Sequence, residues 1–148
     1  MSMPDKDRKK NKPQVGVVVV THGNFGQALL LAAEMVLGPQ DDCLAIGVDV
    51  ELGVDETMEA IQKAIRSVEK GRGVMVLTDL FGGSPTTMSL SLMDDENLEV
   101  ITGVNLPMLV ATLQARAMNL DALAENAKSA GVQGIKVAGA MLRKKTRK

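Results

Sequence analysis

The chain has 148 residues, 45% of them hydrophobic and 24% charged, the profile of one soluble globular domain with a single core. No apolar run approaches the ~20 residues that span a bilayer, and the opening MSMPDKDRKKNKP lacks the long apolar stretch of a signal peptide, so a cytoplasmic location is expected. The net charge of −1 is unevenly spread: residues 1–13 carry +3, the tail Arg143 to Lys148 carries +5, and the body between carries −9.

In chain order, Val15 to Val20 reads as a strand buried on both faces, because β-branched residues follow one another without polar alternation. A helix is predicted from Phe25 to Leu37, with Phe25, Leu29, Ala32, Ala33 and Val36 on its inner face, and Gly38-Pro39 stops it. Cys43 to Val48 is a second strand. Val54 to Glu69 is a second helix, striped by Met58, Ile61, Ile65 and Val68, and Gly71 ends it. Val74 to Thr78 is a third strand. Ser84-Pro85 opens the next helix, with Ser as N-cap and Pro at the first helical position. Leu98 to Thr102 is a fourth strand. Helices follow at Leu106 to Arg116 and Leu120 to Ser129, and Gly134 to Ala138 is expected to be a fifth, edge strand.

Strands alternating with helices predict an α/β fold with a mainly parallel sheet and right-handed crossovers. The organisation is a charged N-terminal extension at 1–13, one domain at 14–140 and a basic tail at 141–148. Basic ends suggest nucleic acid, but the body is acidic and the chain has no Trp or Tyr and only two Phe to stack on bases. Nucleic acid is therefore not an expected partner. One His and one Cys give few ligands for a transition metal, so neither a metal nor another cofactor is expected. Cys43, inside a strand, reads as a small buried hydrophobe.

Ligands of open parallel sheets bind beyond the carboxyl ends of the strands. The first strand ends Thr21-His22-Gly23, and the third runs into Asp79-Leu80-Phe81-Gly82-Gly83-Ser84-Pro85. If those strands are neighbours, the single histidine and a carboxylate share one rim with a glycine-rich loop. Those parts suit phosphoryl chemistry. Imidazole is nucleophilic at neutral pH. A carboxylate on one ring nitrogen fixes the tautomer and frees the other nitrogen. Amides of Gly23, Gly82, Gly83 and Ser84 are candidate donors to phosphoryl oxygens, and the Ser84 hydroxyl either caps the helix or joins them. No Lys follows the glycines, so the loop is not a Walker A motif. Taken one at a time, these signals have plainer readings: a polar surface histidine, a turn-capping aspartate, a tight Gly-Gly turn. The ten Met residues are mostly core filler, while Met35 and Phe81 are candidate protein-docking residues.

Together, Thr21-His22-Gly23, Ala33-Glu34-Met35-Val36-Leu37-Gly38, the loop Asp79 to Pro85 and Gly103-Val104-Asn105-Leu106-Pro107-Met108-Leu109 resemble, in order, the IIA domain of the mannose family of the bacterial phosphoenolpyruvate-dependent sugar phosphotransferase system (PTS). The resemblance spans Val15 to Ala138. It implies a flavodoxin-like fold with helices on both faces of the sheet. It also implies a homodimer in which an antiparallel C-terminal edge strand, near Gly134 to Ala138, crosses to the partner. It implies that His22 is phosphorylated on Nε2, that Asp79 holds Nδ1, and that Ser84 and the loop amides contact the phosphoryl group. The implied donor is the phosphocarrier HPr and the acceptor a IIB component, here a separate chain, with indirect association to membrane IIC and IID subunits. The charged N-terminal extension has no counterpart in the family core. A regulatory IIA domain without transport, a dihydroxyacetone-kinase-type phosphocarrier and a flavin-binding module are the rival readings.

Overall fold

The computed structural model describes residues 13–146 apart from 50, 52 and 95; the charged extension before Pro13 lies outside them. Its elements are β1 (Gly16–His22), α1 (Phe25–Leu37), β2 (Cys43–Val48), α2 (Val54–Val68), β3 (Val74–Thr78), α3 (Ser84–Leu90), β4 (Leu98–Thr102), α4 (Leu106–Gln114), α5 (Leu120–Gln133) and α6 (Ala138–Thr146). The four strands form one parallel sheet in the order β2-β1-β3-β4. That order reverses the winding between β1 and β3, as in flavodoxin-like folds.

Alternation of side chains along β1 explains the two layers. Val17 and Val19 face a core built with Ala33 of α1, Leu109 of α4 and Leu123 of α5. Val18 and Val20 face the other, built with Ile61, Ile65 and Val68 of α2. An unbroken valine run is the strand composition that helices on both faces require. The expected α2 stripe is in place, with Ile61, Ile65 and Val68 buried and Met58 packed beside them.

The inner face of α1 differs from expectation. Phe25 and Val36 are exposed, and Gly26 and Ala33 are the buried residues. A Cβ at Gly26 would stand 3.0 Å from the Thr21 hydroxyl oxygen. This close approach turns the helix so that Gly26, rather than the larger Phe25, meets the sheet. The last two main helices also shift. α4 stops at Gln114, two residues early, and α5 runs to Gln133, four residues late. Asn105 and Asn119 cap their starts, accepting the amides of Met108 and Ala122 at 2.9 Å each.

The expected C-terminal edge strand is absent among the described residues. Gly134 closes α5, residues 135–137 have no regular structure, and α6 begins at Ala138. A strand exists only by sharing a ladder with a neighbour. This segment pairs with no strand among the described residues, every residue from 132 to 146 is exposed, and from Ala138 its backbone takes up helical bonds.

One buried guanidinium closes the end of the sheet remote from His22. Arg116 is 3% exposed. Its Nε donates to the Val15 carbonyl at 2.8 Å, and its two terminal nitrogens donate to the carbonyls of Asp41 and Asp42 at 2.7 Å each. Asp42 holds a left-handed φ of 50° there, and its carbonyl also accepts the Val17 amide. Arg116 thus ties β1 and the turn before β2 to the end of α4. Replacing it with Met removes its three hydrogen bonds, to the buried Val15 carbonyl and the part-buried carbonyls of Asp41 and Asp42, a loss of roughly 3 kcal/mol at about 1 kcal/mol per bond. Urea unfolding of Arg116→Met should show that loss in the midpoint with little change in slope.

Candidate active site

Because Val20 lies opposite Thr78 in register, β1 and β3 deliver His22 and Asp79 to one rim at the point where the winding reverses. The contact is unusually compact. The His22 amide donates to Asp79 Oδ2 at 2.9 Å, and ring Nδ1 meets the same oxygen at 2.8 Å. One carboxylate oxygen therefore fixes both the backbone and the ring of the histidine. The His22 side chain is 51% exposed and that of Asp79 14%. Burial disfavours the charge on Asp79, but the hydrogen bonds and positive charge of His22 outweigh it and hold the carboxyl below the usual carboxylate range. An ionised carboxylate can only accept, so Nδ1 must carry the proton and Nε2 keeps its lone pair. The other oxygen, Oδ1, is buried with no hydrogen-bond partner among the described residues.

The glycine-rich loop stands against this ring. A Cβ at Gly83 would lie 3.0 Å from His22 Cε1 and 3.5 Å from Nε2, so only glycine leaves the reactive edge open. Gly82 has φ 83°, the left-handed conformation that a residue without Cβ adopts freely. The turn is closed by the Gly83 amide, which donates to the Leu80 carbonyl at 3.3 Å and so, against expectation, is not free for a phosphoryl oxygen. Ser84 is not the helix cap that its position before Pro85 predicts. Gly83, with extended ψ, is the N-cap; Ser84 is the first residue of α3 and Pro85 the second. The helix thus starts one residue earlier than expected, because the extended Gly83 that ends the turn takes the cap position. The Ser84 side chain makes no cap bond and stays exposed. Its amide, at the first helical position, has no intrahelical acceptor.

Gly23 requires a correction. Its amide donates to the Val48 carbonyl at 3.1 Å, continuing the β1–β2 ladder by one rung, and so is not free for an incoming anion. Three residues with no role in the sequence reading shape this side of the site. Thr21, fully buried, accepts the Gly26 amide at 2.7 Å and donates to the His22 carbonyl at 3.2 Å; it caps α1 from inside β1. Gly47 leaves room for the Gly23 carbonyl, which a side chain there would strike. An isolated glycine within a strand was the available signal for such a close approach. Gln27 joins His22, Asn24, Gly47, Val48 and Asp49 around an open depression of about 540 Å³.

The apolar candidates separate. Phe81, 77% exposed, and Leu80, 60% exposed, project from the loop, and exposed Phe25 begins α1 beside the rim. Met35 is also exposed, but it sits ten residues along α1 from Phe25, about 15 Å toward the opposite end. Cys43 is buried, and burial, the largest influence, pushes its thiol up to about 12, which removes it as a nucleophile at neutral pH. Among the described residues, no three His, Cys, Asp or Glu side chains cluster as metal ligands do.

Known proteins resemble this chain in sequence and in fold. Residues 16–128 match the family model described as PTS system fructose IIA component. The chain is 36% identical over 125 residues to the PTS system mannose-specific EIIAB component of Escherichia coli, covering 82% of this chain and 39% of that protein. It is 28% identical over 132 residues to the PTS system fructose-specific EIIA component of Bacillus subtilis, covering 88% and 90% respectively. The crystal structure of phosphotransferase system component EIIA from Streptococcus agalactiae superposes with a TM-score of 0.78 at 26% identity, over 85% of this chain and 98% of that one. With its fold and most of its length matched by these relatives, the chain belongs to the PTS system fructose IIA component family.

Proposed function

We propose that His22 is the phosphorylated residue of this phosphoryl carrier, accepting the group on Nε2 from HPr and passing it to a IIB component during sugar uptake. The observation that carries the reading is the bond from His22 Nδ1 to Asp79 Oδ2. It leaves Nε2 as the nucleophile. In the forward step the donor's P–N bond breaks as the Nε2–P bond forms, in line. The Nδ1 proton stays in place, so the phosphorylated ring gains positive charge, and Asp79 balances it. The orphaned Oδ1 adds to this effect, because a buried acceptor charge without partners favours any nearby cation. The amides of the exposed residues Gly82 and Ser84 and the Ser84 hydroxyl supply donors to the phosphoryl oxygens, taking the role first expected of Gly23 and Gly83 as well. Positioning and electrostatics suffice, because phosphoryl transfer asks little covalent help of a protein.

An open rim suits a reaction between two proteins, and exposed Leu80, Phe81 and Phe25 offer apolar contacts around it. Among the described residues no helix is long and apolar enough to cross a membrane; on this reading the relay is cytoplasmic and reaches the membrane IIC and IID subunits only through IIB. A homodimer belongs to the same reading. Ile135, Val137, Met141 and Leu142 are each more than half exposed along the C-terminal arm, and a second copy would cover them.

Incubation with enzyme I, HPr and labelled phosphoenolpyruvate should place acid-labile phosphate on His22. His22→Ala should take no label; normal labelling of that variant from phospho-HPr overturns the assignment. Asp79→Ala should remain folded and label about 10²-fold more slowly, the cost of losing an oriented electrostatic partner.

The Asp79 carboxyl should titrate below the usual carboxylate range in carbon-detected NMR. Its folded value is depressed, so its contribution to stability is complete above the unfolded value and disappears as pH falls through the folded one. In His22→Ala the midpoint should move up, since the ring's hydrogen bond and charge are gone; an unmoved midpoint would show that the ring does not hold the carboxylate.

A further inference from the structure

Beneath the loop lies a pair of buried hydroxyls that the transfer chemistry does not use. Thr78, at the end of β3, is fully buried, and Thr86, in the first turn of α3, is 2% exposed. Their hydroxyl oxygens are 2.6 Å apart, and Thr86 Oγ1 stands 2.7 Å from the Leu80 carbonyl oxygen. The direction of this chain is fixed by proton count. A carbonyl can only accept, so Thr86 gives its one proton to Leu80, and Thr78 must donate to Thr86. The Leu80 carbonyl thus receives two donors, the Thr86 hydroxyl and the Gly83 amide.

Those two bonds set the shape of the turn. They pull the Leu80 carbonyl inward, under the loop, and require the left-handed Gly82 to bring the chain back. The chain returns at Gly83, whose Cα faces the edge of the His22 ring that bears Nε2. Asp79 is anchored separately, by the end of β3 and by its bonds to His22. The hydroxyl chain therefore controls one wall of the site, the loop with its amides, without holding the other wall, the carboxylate.

We infer that Thr86 is a positioning residue for phosphoryl transfer: through its bond to the Leu80 carbonyl it holds the Gly82-Gly83-Ser84 backbone at the distance from His22 Nε2 that the transferred group requires. The inference rests on the reading of His22 as the phosphorylated residue. Valine has nearly the shape of threonine but no hydroxyl, so Thr86→Val leaves the Leu80 carbonyl with the Gly83 amide alone and strands the Thr78 hydroxyl. Serine keeps the hydroxyl and loses only a methyl group.

The test measures transfer from phospho-HPr in wild type, Thr86→Val, Thr86→Ala and Thr86→Ser, with amide hydrogen exchange at Gly82 and Gly83 followed in the same proteins. The expected result is a fall of about tenfold in maximal transfer rate for Val and Ala, the scale of a small misplacement of reacting groups. The HPr concentration at half-maximal rate should stay unchanged, Ser should return most of the rate, and the Gly83 amide should exchange faster in Val and Ala alone. Ala serves where Val fails to fold, as it adds no bulk. Wild-type rates in both Val and Ala overturn the inference. So does a Ser variant as slow as Val, which would assign the effect to the methyl group's packing. Failure of wild type itself to label at His22 overturns the underlying reading and the role in transfer with it, whereas the exchange data report on the brace separately.

Discussion

Two donors from one residue converge on a single oxygen, and the site depends on that convergence. Asp79 Oδ2 takes the His22 amide and the His22 ring nitrogen at nearly equal distances. The amide bond fixes where the residue sits, and the ring bond fixes which nitrogen is free. Neither alone would do both. A ring bond on a mobile backbone would move with it, and a fixed backbone with a free ring would leave the tautomer undecided. The adjacency of β1 and β3, with Val20 opposite Thr78, places the carboxylate so that both bonds form at once.

The surrounding structure supplies what the carboxylate cannot. In the proposed transfer, Asp79 is a negative group beside the place where a negative group must arrive. The compensation comes from the backbone at the turn before α3, exposed and able to approach closely because Gly82 and Gly83 carry no side chains. On the other side, the Gly23 amide is spent on Val48 and Thr21 caps α1, so β1, β2 and α1 are locked together and hold His22 steady. The site is thus rigid on the β2 side and donor-rich on the α3 side. A carrier that must both take and release a phosphoryl group needs this division, since a site gripping the group from all sides would keep it.

Much of the fold was legible because strand and helix signals here are local. β2, β3, β4 and α1 have the boundaries that the sequence implies, since each is bracketed by Gly, Pro or a change of hydrophobic period. The misread details involve contact between elements. Gly26, not Phe25, turns to the sheet because Thr21 approaches it. Gly83 displaces Ser84 as N-cap because the turn beneath it is already bonded to Leu80. Residues 135–137 stay irregular where a strand was expected, because the propensity of a short apolar run cannot provide the neighbour that a ladder needs.

The sequence by itself determined the alternation of strands and helices, the solitary histidine and the carboxylate and glycines that end the third strand. It did so because burial period and turn chemistry are written in consecutive residues. Only the tertiary structure decided that β1 and β3 are neighbours, that one oxygen of Asp79 receives both donors, that the Gly23 amide is already taken, and that Thr86 braces the loop. Those are distances between residues as many as 58 positions apart, and no local pattern encodes them; they follow from how the helices fill the two faces of the sheet.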